Sequence, residues 1–224
     1  MAHPYWPLFD LVVRTPRLEL RPPDDDMLVQ LADAADPAMF PEGEYHFVID
    51  WLSVPSPLRQ RQSMQFWWSH RANWTVDDWS LTMAVVVDGQ PAGVQDISAK
   101  SFPRRRSFTT GSWLAPGFQG LGIGKEMRQA ILHLGFVGLG AEEAHSGAFT
   151  GNARSIGVSR AVGYDDNGFE ISLRGGRTPD LHINFRMTRE RFGQLQRPDI
   201  VIEHLGPCLE LFGLDSDLKA LPAP

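Results

Sequence analysis

Ser112-Trp113-Leu114-Ala115-Pro116-Gly117-Phe118-Gln119-Gly120-Leu121-Gly122-Ile123-Gly124-Lys125 is the stretch on which the reading of this chain turns. Upstream of it, Phe108 to Leu114 has strand character. Downstream, Gly122 to Leu139 repeats its apolar residues at helical spacing, with Met127, Ala130, Ile131 and Leu134 on one stripe. Glycines at three alternate positions just before an amphipathic helix leave the first N–H groups of that helix uncovered. Together with the helix dipole, those donors form an anion site, for which phosphate is the usual occupant. Lys125 adds a positive charge in the first turn, where the dipole disfavours it, as expected of a side chain facing a bound phosphate. A short strand at Ala144 to Phe149 follows the helix and completes a βαβ crossover.

Two nucleotide-binding patterns fail on specific residues. A Walker A loop needs Gly at 119 and Ser or Thr at 126, where the chain has Gln119 and Glu126. A dinucleotide fingerprint starting at Gly120 needs Gly or Ala at 125, which is Lys125. Gln119-x-x-Gly122-x-Gly124, in contrast, resembles the coenzyme A pyrophosphate signature of the GNAT superfamily. Two further segments resemble the RimJ/RimL-type acetyltransferases of that superfamily. One is Arg14-Thr15-Pro16-Arg17-Leu18-Glu19-Leu20-Arg21-Pro22; the other is Asn152-Ala153-Arg154-Ser155 followed by Gly163-Tyr164. The resemblance spans roughly Leu11 to Arg189.

That resemblance implies an α/β (mixed α+β) fold, a twisted mixed sheet split between two parallel strands with helices on both faces. It implies an enzyme that moves an acyl group from acyl-CoA to a primary amine by direct attack on the thioester. Acetyl is the expected group, and succinyl remains open because some close bacterial relatives use it. CoA is expected on Gln119, Gly120, Gly122, Ile123, Gly124, Lys125 and Asn152, with a backbone N–H near Leu114 for the oxyanion. Ser155 is expected to meet the departing thiolate or to touch CoA; read as a residue alone, it is equally a serine bonded to its own helix backbone. Asn152 is equally an N-cap. The base stays open among Asp96, Glu143, His145 and water. Arg104 to Arg106 reads as a solvated loop or as a contact for the 3′-phosphate of the nucleotide.

Outward from the glycine turn, Leu81 to Val87 and Pro91 to Ser98 form a hairpin through Asp88-Gly89. Leu11 to Arg21 reads as one strand, ended by Pro22 and Pro23. Asp24 to Asp26 then cap a helix through about Ala34. A proline-rich irregular segment, Asp36 to Pro57, leads to a helix over Leu58 to Asn73. Met64, Trp67, Trp68 and Arg71 share one of its faces. After the crossover come a helix over Asn152 to Val162 and strands near Phe169 and Ile183. We divide the chain into residues 1–190, the acyltransferase domain, and 191–224, an extension that packs on it or forms a homodimer contact; its last residues, LPAP, are expected to be loose.

Composition narrows the alternatives. Net charge is −6, which argues against nucleic acid as partner. No apolar stretch approaches the ~20 residues of a membrane span, and the first residues carry no secretory pattern, so the expected location is cytoplasmic. Cys208 is the single cysteine, so no disulfide forms within the chain. The seven histidines show no metal-ligand spacing, and no metal is expected. Arginine far outnumbers lysine, as in GC-rich bacterial coding. A non-catalytic acyl-CoA-binding module and a nucleotide-binding protein are the competing classes. Thiol release in the presence of amines separates the first from an enzyme; ATP binding without CoA binding marks the second.

Overall fold

The computed structural model describes residues 3–40 and 44–214. Pro41, Gly43 and the LPAP end lie outside the described residues. The expected single strand over Leu11 to Arg21 is two short ones, β1 (Val12–Arg14) and β2 (Glu19–Arg21), paired antiparallel. Pro16 has no N–H to give a ladder. Thr15 closes the turn instead, its Oγ1 accepting from the Leu18 N–H at 3.0 Å. α1 (Asp25–Ala34) begins where Asp24 accepts from the Met27 N–H at 2.8 Å. α2 (Leu58–Ala72) follows the irregular segment.

β3 (Asp78–Val87) and β4 (Gln90–Lys100) form the hairpin. Asp88 and Gly89 both have positive φ, 49° and 78°, as a two-residue turn with the twist of its strands requires. A one-turn helix, α3 (Phe102–Arg105), leads to β5 (Ser107–Leu114). The glycine turn then opens α4 (Ile123–His133), which ends in a π-type turn over Leu134–Gly138. β6 (Glu143–Phe149), α5 (Ala153–Ala161), β7 (Asp165–Arg174), β8 (Thr178–Thr188), α6 (Arg189–Gly193) and β9 (Val201–Glu203) complete the order.

All nine strands form one sheet, ordered β7-β8-β6-β5-β4-β3-β2-β1-β9. Each neighbouring pair is antiparallel except β5 and β6. Those two run parallel and pair over only three positions, Ser107 to Thr109 against Glu143 to His145, before they part. On one face, which we call the front, Ala84, Val86 and Val94 pack against Met27, Leu28, Leu31 and Trp67 of α1 and α2. On the back, Ile97, Phe108 and Phe185 join Met127, Ala130, Ile131 and Leu134 in the main core. The expected stripe of α4 is buried throughout.

The residues after α6 return to the opposite edge of the sheet. β9 pairs with β1, and Cys208, Phe212 and Leu214 enter the main core. The Trp74 indole N–H reaches the Leu211 carbonyl at 2.9 Å, and its ring stacks on Trp79.

Gly135 sets how closely α4 approaches β5. A Cβ at this position would come within 2.3 Å of the Phe108 ring, which is fully buried. Overpacking of such a contact costs about 1–3 kcal/mol. Gly135→Ala should therefore lower the melting temperature by several degrees. An unchanged thermal transition would show that the helix has slack at this contact.

Candidate functional site

The site is built where β5 ends and β6 has moved away. Ala115 donates to the Ala92 carbonyl at 2.8 Å, so Ala115 turns its N–H toward β4. In an antiparallel ladder the next residue turns its polar groups the other way. Leu114, opposite Gly93, therefore directs its N–H and carbonyl away from β4 and into the parting. The carbonyl accepts from the Gln119 side-chain amide at 2.9 Å.

Beyond Gln119 the chain passes through Gly120 and Gly122 with φ of +75° and +79°, conformations that a side chain rarely adopts. After Gln119, the next backbone N–H to find a backbone carbonyl is that of Glu126, which donates to Gly122. The amides of Gly120 through Lys125 are thus left as donors at a helix N-terminus, the arrangement that holds phosphate. Ile123 contributes only its backbone, its side chain being buried in the core. Gly124 serves packing: a Cβ there would touch Val158 of α5 at 3.6 Å. Lys125 is exposed.

Two contacts fix this turn, and neither is visible in the sequence. Arg17, just before β2, bonds the buried Glu126 carboxylate at 2.7 Å and the Leu121 carbonyl at 3.1 Å. Thr15 donates to the same carboxylate at 2.6 Å. Burial alone would raise the Glu126 carboxyl, but the bonds from Thr15 and Arg17 and the Arg17 charge together hold it below its ordinary range. Gln119, for its part, donates to Met39 as well as Leu114 and accepts from Arg154 at 2.5 Å. Its side chain ties β5, the segment after α1 and the start of α5 together.

Asn152 is the N-cap of α5, its carbonyl oxygen accepting from the Ser155 N–H at 3.1 Å. Only its amide NH₂ is then left to reach a ligand. Ser155 is half-buried in the first turn, and among the described residues its hydroxyl makes no hydrogen bond. Arg154, beside it, brings a cation to the glycine turn that sequence reading missed.

The three candidate bases have different surroundings. Glu143 is bonded to Arg186 and stands 3.3 Å from His145; the Arg186 guanidinium holds it below its ordinary range. Asp96 lies on β4 opposite Thr82 and Gly111. Its Oδ1 is sealed from solvent and has no partner among the described residues, and burial pushes the carboxyl up to about 7, opposed by the Thr82 hydroxyl. Gly111, between Asp96 and the parting, has nothing within 4 Å of where a Cβ would stand. Thr82 also bonds His70 at 2.8 Å.

Behind the parting, on the α4 side, Arg128 is buried. It donates to Ser112 of β5 at 3.0 Å, Ser146 of β6 at 2.9 Å and Gln95 at 3.4 Å. In front, Trp51 packs at a tilt against Phe47 and against Trp113, roofing the end of β5. The Arg104 to Arg106 run lies at the other end of β5, eight residues and roughly 25 Å from the glycine turn. Arg104 pairs with Asp77 and Arg106 bonds the Leu139 carbonyl, so the reading of this run as a phosphate contact is corrected.

A family model described as an acetyltransferase (GNAT) domain matches residues 17–165. Among solved structures, RimJ from Mycobacterium smegmatis in complex with CoA-disulfide is 20% identical, with TM-score 0.68 over 81% of this chain and 88% of its own. RimL, a ribosomal L7/L12 alpha-N-protein acetyltransferase in complex with coenzyme A, is 16% identical, with TM-score 0.60 over 79% and 97%. A GNAT-family acetyltransferase from Bacillus anthracis is 15% identical, with TM-score 0.63 over 80% and 99%. At these identities the likeness is one of fold.

Gly122→Asp tests the cradle. Aspartate tolerates the left-handed conformation better than most residues, so the variant should fold. A Cβ at this position would stand 3.5 Å from Arg17 Nη2, so the carboxylate adds negative charge beside the free amides, and CoA affinity should fall by at least ~10-fold, ~1.4 kcal/mol. Calorimetry showing parental affinity in the folded variant would remove the assignment.

Proposed function

The chain belongs to the GNAT acetyltransferase family, and from that premise we propose that Asp96, the Leu114 amide and Ser155 carry out acetyl transfer to a primary amine presented at the front of the parting. The family assignment makes the protein an acyl-CoA-dependent acetyltransferase. The observation that carries the finer reading is the pairing of two features around the end of β5. One is the run of unpaired amides from Gly120 to Lys125. The other is the half-buried carboxylate of Asp96, one oxygen of which is sealed, facing a strand position with no side chain, Gly111.

In this reading the glycine turn, Asn152 and Arg154 hold the pyrophosphate and arm of CoA, so that the thioester lies in the parting. Position and alignment supply much of the rate. The amine loses a proton to Asp96 and attacks the thioester carbonyl, and the Leu114 N–H meets the oxygen on which charge develops. The C–S bond then breaks, and Ser155 donates to the departing sulfur. Asp96 suits the first role better than Glu143, whose lone pairs are engaged by Arg186. Thr82 and His70 lead from Asp96 toward α2, offering the proton a path out. For the acceptor, RimL is named for acetylating a protein α-amino group. Peptides with free N-termini are therefore the first amines to screen, with acetyl-CoA and succinyl-CoA as parallel donors and thiol release as the readout.

Asp96→Asn should lower kcat/KM by ~10²–10⁴-fold. The parent should gain activity as pH rises through about 7 and then level off, and the variant should lack that rise. Stability should move the other way. Between the ordinary carboxylate value of ~3.9 and about 7, the native state keeps a proton that the unfolded chain has released. The buried carboxyl therefore costs stability as pH rises through that window. Asp96→Asn should melt higher than the parent at pH 8, with the gap closing below pH ~4. A variant with a parental rate profile would move the role to another group.

Ser155→Ala should lower kcat by roughly 10²-fold while leaving the acyl-CoA Kd nearly unchanged, because the hydroxyl acts when charge reaches sulfur. A weakened Kd at parental kcat would make Ser155 a ground-state contact instead.

A further inference from the structure

β7 is the outermost strand of the sheet, and it runs for ten residues with its edge unpaired among the described residues. On its back side Phe169, Ile171 and Leu173 alternate, 59%, 70% and 46% exposed. Leu181 of β8, opposite Ile171, widens the stripe. On its front side Glu170, Ser172 and Arg174 alternate. Proteins protect an edge of this kind with lysine, proline, shortness or a bulge. β7 contains neither lysine nor proline, and its one irregularity, between Asp166 and Phe169, sits at its start. The six residues from Phe169 to Arg174 keep regular register with β8, with apolar side chains on the back of the edge and Glu170, Ser172 and Arg174 on its front.

We propose that this edge binds a second copy of the same chain, β7 against β7, antiparallel about a two-fold axis through Ser172. In antiparallel pairing, opposed side chains share a face of the sheet. The axis must therefore pass through a residue, or apolar and polar positions would oppose each other. With Ser172 on the axis, Ile171 meets Leu173 of the second copy and Glu170 meets Arg174 of the second copy, each pair occurring twice. An axis through Glu170 would oppose two glutamates. Through Ile171 it would set Arg174 against Gly168, and through Leu173 it would set Glu170 against Gly176. Ser172 alone pairs both charges with their opposites while keeping the apolar side chains together. Such an isologous contact closes on itself and uses both β7 edges, leaving none of them for a third chain. It also sets the glycine turns apart, since α4 and β7 lie at different parts of the sheet, so each copy keeps its own site. The C-terminal segment, the other candidate for a dimer contact, buries Cys208, Phe212 and Leu214 in its own core.

Sedimentation of the full chain tests this directly. The parent should show a concentration-dependent species at twice the 25.1 kDa of one chain. Ile171→Lys, with an unchanged circular dichroism spectrum, should sediment as a monomer. Glu170→Arg and Arg174→Glu should each weaken the dimer by at least ~10-fold, and the double variant Glu170→Arg/Arg174→Glu should restore it. A parent that stays monomeric across the accessible concentrations would overturn the proposal. So would a dimer indifferent to Ile171→Lys, which would place the interface elsewhere. A double variant no tighter than either single one would refute the axis through Ser172.

Discussion

The guanidinium of Arg128, held between Ser112 of β5 and Ser146 of β6, is the contact on which the site geometry depends. Parallel strands that pair over three positions and then diverge leave a row of polar backbone groups facing a gap. On the back face that gap is closed by one side chain wide enough to reach both strands. Burial pulls the guanidinium below its ordinary value, with the Tyr164 hydroxyl opposing, and among the described residues its hydrogen bonds go to the neutral oxygens of Gln95, Ser146 and Ser112. Hydrogen bonds to a charged group are worth about 1.5–3 kcal/mol each, so several of them offset the loss of water. With the back sealed by Arg128, the front lips of the parting remain open. The Leu114 amide can then face a ligand instead of a neighbouring strand.

The turn and the strand before α1 form a second dependency. A helix whose N-terminus is stripped of carbonyl partners is a poor end for a helix unless something else holds it. Here Glu126, in its first turn, is gripped by Thr15 and Arg17, and Arg17 also caps the Leu121 carbonyl. A carboxylate in the first turn is favoured by the helix dipole, and its burial ties the position of the turn to β1 and β2. The first two motifs of the sequence are thus one structural unit.

Much of the fold was legible because local chemistry and tertiary structure agree. Asp88-Gly89 dictates its turn, Asp24 caps its helix, and the stripe of α4 has one period and one side to bury. The glycine turn was readable for the same reason: Gly120 and Gly122 occupy conformations that other residues avoid. What stayed hidden depends on contacts far apart in sequence. Nothing near Arg17 announces Glu126, and Thr15 as a turn-closing residue is evident only once β1 and β2 are seen to pair. Arg128 left one trace, a charge directly beside Met127 in an apolar helix. Periodicity treats such a residue as solvated, yet the parting of two strands draws it inside. Arg104 to Arg106 left two readings open, a solvated connection and a phosphate contact. Only the length of β5, which places the run at the far end of the strand, decides against the second.

The two lips of the parting differ on the front face, and the difference gives the cleft a direction. Thr109 and His145 are the last paired positions, and Gly111 and Gly147 follow on the same face of their strands. Glycine within a strand marks a bend or a close approach. At Gly147 the approach is already taken, because a Cβ there would come within 2.1 Å of the His182 imidazole, which lies against Phe149. At Gly111 the space is vacant of protein atoms within 4 Å. A group arriving in front of the parting is therefore turned away from the β8 side and admitted on the β4 side. Asp96 stands there with a sealed oxygen and, among the described residues, no cation beside it to hold its charge. Burial of that carboxylate with only the Thr82 hydroxyl to meet it is a poor stabilising device, since it works against the folded state at neutral pH. It does make sense if the missing partner is an amine, delivered to the one side of the cleft that the glycine leaves open.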